Sequence, residues 1–380
     1  MDLVKKSKKV LKKLQLKNGG ITATPMKQAY PYVYPRDAVF VTKAYNRLGM
    51  HKNSEKFYYF IKNNTRIEYF REIFHRYNET GNPCVTRKHE HDNNGLIIHG
   101  IHDTYRHGKS KNFIIDMWPL IKICINAILK NKRNNLIRTE RSIHEFFRLE
   151  DGFEIWVNCV SCRALYDASE IAKELNCKEH KIWFKEAEKL KKNIKKRFMK
   201  KNGLFKKNLK FKDSSDITQL SPFYFNLVDS KKFLKKNMDY LKNNLWYSEV
   251  GGFRRFKRFD KVKDWHWYTG GSGAWIVFTL WGARFYKILK DKKNLKQCLN
   301  LIEKTVGALN GMLPEHVSTR HEYDLWKKNE IELNHRVLNG MKIARKTNQM
   351  LKKKTGEDLI AWATPLGWAH AEYILFKNEV

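Results

Sequence analysis

Acidic residues are scarce in this chain: 39 Asp and Glu stand against 75 Lys and Arg in 380 residues, a formal net charge of +36. Cysteine is sparse as well. The six present (Cys84, Cys124, Cys159, Cys162, Cys177, Cys298) are too few for a disulfide framework at this length and point to a reducing, cytoplasmic setting. Cys159 and Cys162 form a C-x-x-C pair, yet no second Cys or Cys/His pair stands at zinc-ribbon distance. They are expected to be two buried residues on one helix face, with no metal. No run of eighteen uninterrupted apolar residues occurs. The longest candidate, around Ala274 to Trp281, is broken by Thr279 and stops at Gly282 and Arg284, which argues against a membrane span. The basic N-terminus (Lys5, Lys6, Lys8, Lys9, Lys12, Lys13) lacks the apolar stretch and cleavage site of a secretory signal. Strand-like alternation is nearly absent.

Material for a core is ample. Hydrophobic residues make up 42% and aromatics 13%, far above a solvated, charged tail, so the excess charge must sit on a folded surface. The lysines are scattered along the whole chain on outward helix faces. Nucleic-acid binding would need one contiguous basic face, and this distribution does not favour it.

Helical periodicity dominates. From Asp37 the apolar positions Val39, Phe40, Ala44, Tyr45 and Leu48 recur at three- and four-residue spacing, and Gly49 stands where a C-terminal cap belongs. Similar stretches cover 53–60, 93–105, 113–129, 157–175, 179–199, 231–245, 272–289, 295–309 and 365–376, the last with Thr364 as N-cap before Pro365. Long loops are expected at 19–36, 80–92, 139–156, 251–271 and 311–363. Paired helices with functional-looking residues in every second loop fit one closed ring of helical hairpins, whose rim loops converge on a single pocket. The expected organisation is a basic N-terminal helix or tail (1–16) followed by one domain (17–380).

Three constellations could carry chemistry. The first is Tyr32, Tyr34, Pro35, Arg36 and Asp37 directly before a helix. Arg36 and Asp37 side by side make a donor-acceptor fork for vicinal hydroxyls, and the adjacent rings can stack on a sugar face. Helix capping and a local ion pair account for them equally well. The second is Gly251-Gly252-Phe253-Arg254-Arg255-Phe256, followed by Asp264, Trp265, His266, Trp267, Tyr268, Thr269, Gly270, Gly271 and Trp275, where flat aromatic faces lie between glycine turns. About half of these rings are expected to seal the core. The third is Gly311-Met312-Leu313-Pro314-Glu315-His316, in which Pro314 holds Leu313 extended and a loop displays Glu315.

Tyr34-Pro35-Arg36-Asp37, the Gly-Gly-Phe-Arg-Arg-Phe and Tyr268-Thr-Gly-Gly segments, Leu313-Pro314-Glu315 and the closing Ala363-Thr-Pro-Leu-Gly-Trp368-Ala-His-Ala-Glu-Tyr373 resemble, in this order, the catalytic domain of glucoamylases and their relatives, glycoside hydrolase family fifteen. The resemblance covers about residues 17–376. It implies an all-α (α/α)6 barrel, inverting hydrolysis of α-linked glucosides (malto- or isomalto-oligosaccharide, or trehalose) from the non-reducing end, and no cofactor. Carried across by motif, Arg36 and Asp37 bind the terminal sugar, Arg255 assists from the opposite wall, and Glu315 is the general base. Asp92, in Glu90-His91-Asp92-Asn93, lines the pocket, and Tyr34, Trp156, Trp267, Tyr268 and Trp368 complete the substrate contacts.

The family's Trp-Glu-Glu, four residues before a Gly, is absent, since Arg148 occupies that position ahead of Gly152. Glu145 is the first choice for general acid if the loop is three residues longer, with Glu150 and Glu154 as alternatives. In the inverting arrangement acid and base stand roughly 6.5–9.5 Å apart around a water. Phe146, Phe147 and Trp156 are expected to desolvate Glu145 and raise its pKa, while a hydrogen bond from His316 or Tyr268 keeps Glu315 ionised. A non-catalytic sugar-binding or interaction scaffold of the same fold is the alternative. The stretch before Gly19 leaves no room for the β-sandwich of larger members, and a homo-oligomer is one way to cover that side.

Overall fold

The computed structural model describes residues 2–65, 72–84, 90–145, 150–211, 215–257, 273–324 and 337–378. Helices alternate between two layers. The outer layer holds α1 (Leu3–Leu14), α3 (His51–Asn64), α5 (Lys111–Lys130), α7 (Glu179–Phe198), α9 (Lys231–Leu245) and α11 (Lys292–Ala308). The inner layer holds α2 (Pro35–Arg47), α4 (Asp92–Gly108), α6 (Ile155–Glu174), the one-turn α8 (Ser221–Tyr224), α10 (Ile276–Ile288) and α13 (Gly367–Asn378), while α12 (Val337–Thr355) packs outside α11. Around the inner ring α13 packs on α2, α2 on α4, α4 on α6 and α6 on α8, and α10 packs back on α13. Tyr224 on α8 meets Trp281 on α10 with ring centroids 4.4 Å apart, so even the shortest member joins the ring. This is the expected (α/α)6 toroid.

Hydrophobic patterning separates the layers. On α10 every residue from Ile276 to Tyr286 is buried, as befits a helix enclosed on all sides. On α7 only Trp183, Ala187, Leu190, Ile194 and Phe198 are buried, at helical spacing, and lysine is the commonest residue among the rest. The excess positive charge is thus displayed by outer helices. The basic N-terminus follows the same pattern: Leu3, Val10, Leu11 and Leu14 of α1 face inward, and α1 packs on α13. Cys159 and Cys162 are both buried on α6, and all six cysteines are free.

Several sequence expectations are corrected. Among the described residues there are eight strands of two to four residues, too short for alternation to reveal: β1 (Lys132–Arg133), β2 (Leu136–Thr139), β3 (Gly152–Phe153), β4 (Trp246–Tyr247), β5 (Gly252–Phe253), β6 (Ala274–Trp275), β7 (His316–Thr319) and β8 (Leu359–Trp362). β6, β7 and β8 form one antiparallel sheet in which His316 pairs with both Trp275 and Trp362. The expected loop 311–363 contains α12, whose few inward residues, such as Met341, Ala344 and Leu351, are diluted by Lys and Arg. Pro365 is not the first residue of a helix; α13 begins at Gly367, after a cis Thr364–Pro365 peptide. By length and composition α5 could span a membrane, with mean hydropathy 1.5, contrary to the sequence expectation. It lies against α3, α4 and α6 with Phe113, Met117, Leu120, Ile121 and Cys124 turned inward.

The inner helices approach closely where glycine permits. A Cβ on Gly95 of α4 would stand 2.5 Å from Val160 Cγ1 and 3.2 Å from the Val160 carbonyl oxygen on α6. Gly95→Ala should therefore destabilise the protein by about 1–3 kcal/mol through overpacking, read as a lowered denaturant midpoint. An unchanged midpoint would show that α4 and α6 can move apart without cost.

Candidate active site

The first turns of the inner helices face one mouth of the ring, where helix dipoles favour carboxylates. Tyr34 takes an extended conformation at the N-cap of α2, and Pro35, Arg36 and Asp37 open that helix. Asp92 opens α4, and Glu154 caps α6 by accepting from the Val157 amide at 3.1 Å.

Arg36 is the hub of this mouth. Its buried guanidinium donates from Nε to Asp92 Oδ2 (2.9 Å) and from Nη2 to Glu90 Oε2 (2.5 Å), Asp92 Oδ1 (3.3 Å) and the Ser142 carbonyl (3.0 Å). Nη1 reaches Glu145 Oε1 at 3.5 Å. Trp156 Nε1 donates to the same Asp92 Oδ2 at 2.8 Å. Asp92 is wholly enclosed by these two partners and Glu90 is 3% exposed, so both orient Arg36 and have little surface to offer a ligand.

Glu145 ends a tight turn in which its amide donates to the Ser142 carbonyl at 2.9 Å. Its φ of +59° is left-handed, which an L side chain adopts at a cost of about 1 kcal/mol. The turn is stapled from below by buried Glu150, which accepts from Ser142 N (2.9 Å), Ser142 Oγ (2.6 Å) and His144 N (2.8 Å). His144 is pinned between Asp216 (Nε2 to Oδ2, 2.8 Å) and Arg255, whose Nε donates to Nδ1 at 2.8 Å. Arg255 Nη2 also holds the Ile143 carbonyl at 2.6 Å. Lys207, entirely buried, pairs with Asp216. The result is a rigid floor from which the Glu145 side chain, 44% exposed, projects into the mouth.

The three candidates for general acid are thereby separated. Glu150 and Glu154 have no exposed surface and belong to the floor; Glu145 alone of the three has an exposed side chain. Its electrostatics reverse the sequence expectation. Burial pushes its carboxyl up, but His75, Arg36 and Arg255 outweigh that and hold it well below the usual range. His75 Nε2 lies 3.7 Å from Glu145 Oε2 and 3.3 Å from Glu90 Oε1. Glu90 is pushed strongly up, by burial and by the Glu145, Asp92 and Glu150 charges against the pull of Arg36. His75, Glu90 and Glu145 gather one metal-type donor each within 4.8 Å. Arg36 already places a fixed positive charge on both carboxylates, which opposes a divalent cation there.

Glu315 comes from a different part of the chain and, like Glu145, acts on Asp37. Its amide donates to the Trp362 carbonyl at 3.0 Å and its carbonyl accepts from Ile276 N at 2.9 Å, which fixes it immediately before β7 and beside the start of α10. The side chain is 13% exposed; Oε2 accepts from Tyr30 Oη (3.4 Å) and lies 3.4 Å from His316 Nδ1. Tyr30 Oη in turn accepts from Trp362 Nε1 at 3.0 Å. Burial pushes the pKa of Asp37 up to about 7 against the pull of Arg36, and the charges of Glu315 and Glu145 push it the same way.

The remaining expected contacts sort plainly. Tyr34 is half-buried in an edge-on cluster with Tyr30, Tyr32 and His75. Arg255 lies behind Glu145, with its guanidinium carbon 4.6 Å from the Trp275 ring centroid. Trp156 is corrected from sugar contact to core residue, since it is wholly buried and stacked on Trp281. Trp368 is corrected likewise: it stacks on Phe40 at 4.7 Å and is 5% exposed. Trp267, Tyr268, Phe146 and Phe147 lie outside the described residues. Tyr30, His75 and Glu90 were not singled out from the sequence. Glu90 stands two residues before Asp92 and Tyr30 opens the tyrosine-rich approach to Arg36, whereas nothing local marks His75.

No family model matches the chain. An uncharacterized glycosyl hydrolase of Methanocaldococcus jannaschii is 25% identical over 320 residues, 79% of this chain and 49% of the relative, so the chain spans about half the length of that protein. Among solved structures, a glycosidase variant in complex with glucose superposes with a TM-score of 0.74 at 16% identity, covering 100% of this chain and 96% of the other. A bacterial glucoamylase complexed with acarbose gives 0.71 at 16% identity over 99% of this chain and 55% of the other. Hormoconis resinae glucoamylase gives 0.63 at 12% identity, with 98% and 72% covered. The chain has a glycosidase fold.

The floor under Glu145 is testable. Glu150→Ala strips the acceptor from two backbone amides and one hydroxyl, and should lower stability by about 2–4 kcal/mol in chemical denaturation. A loss below about 0.5 kcal/mol would mean that the Ser142 turn is held by other contacts.

Proposed function

We propose that the chain is an inverting, exo-acting glycoside hydrolase of the glucoamylase type, in family fifteen, releasing glucose from α-linked glucosides. One observation carries this reading: two partly exposed carboxylates from distant parts of the chain, Glu145 and Glu315, both act on Asp37. The glucose and acarbose bound by structurally similar glycosidases support a sugar as the occupant.

In this reading Asp37 receives hydroxyls of the terminal sugar, and its raised pKa lets it donate as well as accept below about pH 7. Glu315, steadied by Tyr30, takes the proton of the attacking water, while Glu145 protonates the leaving oxygen. Of the two neighbouring carboxyls, Glu90 is pushed towards holding its proton and Glu145 towards losing it in the unliganded protein. A general acid held so low is protonated in a small fraction of molecules at neutral pH. Activity therefore rises as pH falls towards the acidic range, until the base is protonated.

Maltose, isomaltose and trehalose, followed by the anomer released, test the reaction directly; β-glucose appearing first is expected. Glu145→Gln and Glu315→Gln should each lower kcat by about 10²–10⁴-fold, and full activity in either removes that residue from its role. Sugar binding without glucose release in the unaltered protein would favour the non-catalytic scaffold.

The sign of the pH effect gives a separate test. His75→Gln removes a group that favours ionised Glu145, so the acid stays protonated to higher pH. kcat/KM at and above neutral pH should therefore rise, by about tenfold for each unit that Glu145 gains. An unchanged or lower kcat/KM there would exclude Glu145 as the group that must hold the proton.

A further inference from the structure

A second cavity, of about 370 Å³, opens at the other ends of the same inner helices. Its lining includes Lys43 and Arg47 from the end of α2, Arg106 from the end of α4 and Arg284 from the end of α10. Arg36 and Arg47 are separated by eleven residues of one helix, roughly 16 Å, so this cavity is distinct from the mouth that holds Glu145 and Glu315.

The charge around it is unbalanced. Five Lys and Arg side chains line the cavity against two carboxylates, Asp103 and Asp167. Arg47 is committed to Asp103 at 3.0 Å, and Arg163 to Asp167 at 2.5 Å. Glu372 lies 3.5 Å from Arg284, and Glu170 faces His102 at 2.8 Å. His102 is itself positive near neutral pH: burial opposes its charge, but Asp167 and Glu170 raise its pKa to about 9. Among the described residues, counting these neighbours, cations exceed carboxylates by two.

The excess falls on Arg106 and, in part, on Lys43, which shares the Asp103 charge with Arg47. Lys43 is 6% exposed, yet its ammonium, which carries three donors, makes one hydrogen bond among the described residues, to His99 Nε2 at 3.3 Å. His99 already donates from Nδ1 to Asp167 Oδ2 (2.7 Å), which leaves Nε2 as the acceptor. Arg106, on the rim, has no carboxylate partner among the described residues. Dipole compensation explains basic residues in the last turns of α2 and α4, but it does not explain a buried lysine aimed into the space between the helices. Tyr224 and Phe225 add aromatic surface to one side.

We propose that this cavity is a binding site for a small phosphate-bearing ligand, its phosphate held by Lys43, Arg106 and Arg284 and its organic part lying against Tyr224 and Phe225. The site is independent of the proposed hydrolase reading, because no residue of that mouth takes part. A phosphate oxyanion supplies what the cavity lacks, namely several acceptors and two negative charges in a space that also admits a hexose or a ribose.

Thermal unfolding of the full chain, titrated with inorganic phosphate, glucose 6-phosphate or tripolyphosphate against sodium chloride of equal ionic strength, tests the proposal. A saturable rise in Tm with at least one phosphate species, absent with chloride, is expected. The species that binds most tightly identifies the carrier. Arg106→Glu, at an exposed position that leaves the core intact, should weaken binding by about tenfold or more, and Lys43→Gln should do the same if folded. Glu315→Gln should bind phosphate as the unaltered protein does. Chloride matching phosphate, or phosphate binding that is indifferent to Arg106→Glu, would overturn the assignment.

Discussion

The candidate active site depends on one guanidinium. Arg36 is enclosed by Asp92, Glu90, the Ser142 carbonyl and Glu145, which come from α4, the segment before it and the loop ahead of α6. A buried charge with so many partners is held in a single orientation, and removing any partner would strand it. Three separate stretches of chain are thereby locked at the first turns of the inner helices. The floor below, with Glu150, Glu154, Lys207, Asp216 and His144, repeats the device, using buried charges to fix a turn that hydrophobic packing alone could not aim.

This arrangement alters the meaning of the aromatic residues. Trp156 and Trp368 belong to an apolar girdle with Phe40, Trp281 and Phe278 lying beneath the mouth. Together they exclude water from below the carboxylates, which strengthens every charge interaction above them. The polar edge of each indole is used inward: Trp156 on Asp92, and Trp368 on Glu372 at 3.3 Å. A fully buried ring contributes to a sugar site only through what it holds in place.

Legibility in the sequence followed the range of the interactions. The helices were readable because their periodicity is local and the toroid because the ordered motifs resemble a known family, while Arg36, Asp37 and Glu315 could be singled out because each sits in a short contiguous motif. His75 escaped notice because its importance arises from Glu90 and Glu145, fifteen and seventy residues further along. The direction of the Glu145 pKa was misjudged for the same reason: neighbouring phenylalanines suggested desolvation, while the deciding charges on His75, Arg36 and Arg255 arrive by folding. The short strands and α12 were missed because two-residue pairings and a lysine-diluted helix leave almost no periodic trace.

The separation of the two helical layers also governs how molecules of this protein meet. Lysine is the commonest residue at the exposed positions of α7, and with a net charge of +36 two copies approaching through such faces repel each other. At physiological ionic strength that repulsion fades beyond about 8 Å, and in dilute buffer it extends several times further. Crowding in solution is therefore regulated by the ionic atmosphere, with the ring behaving as a cationic colloid.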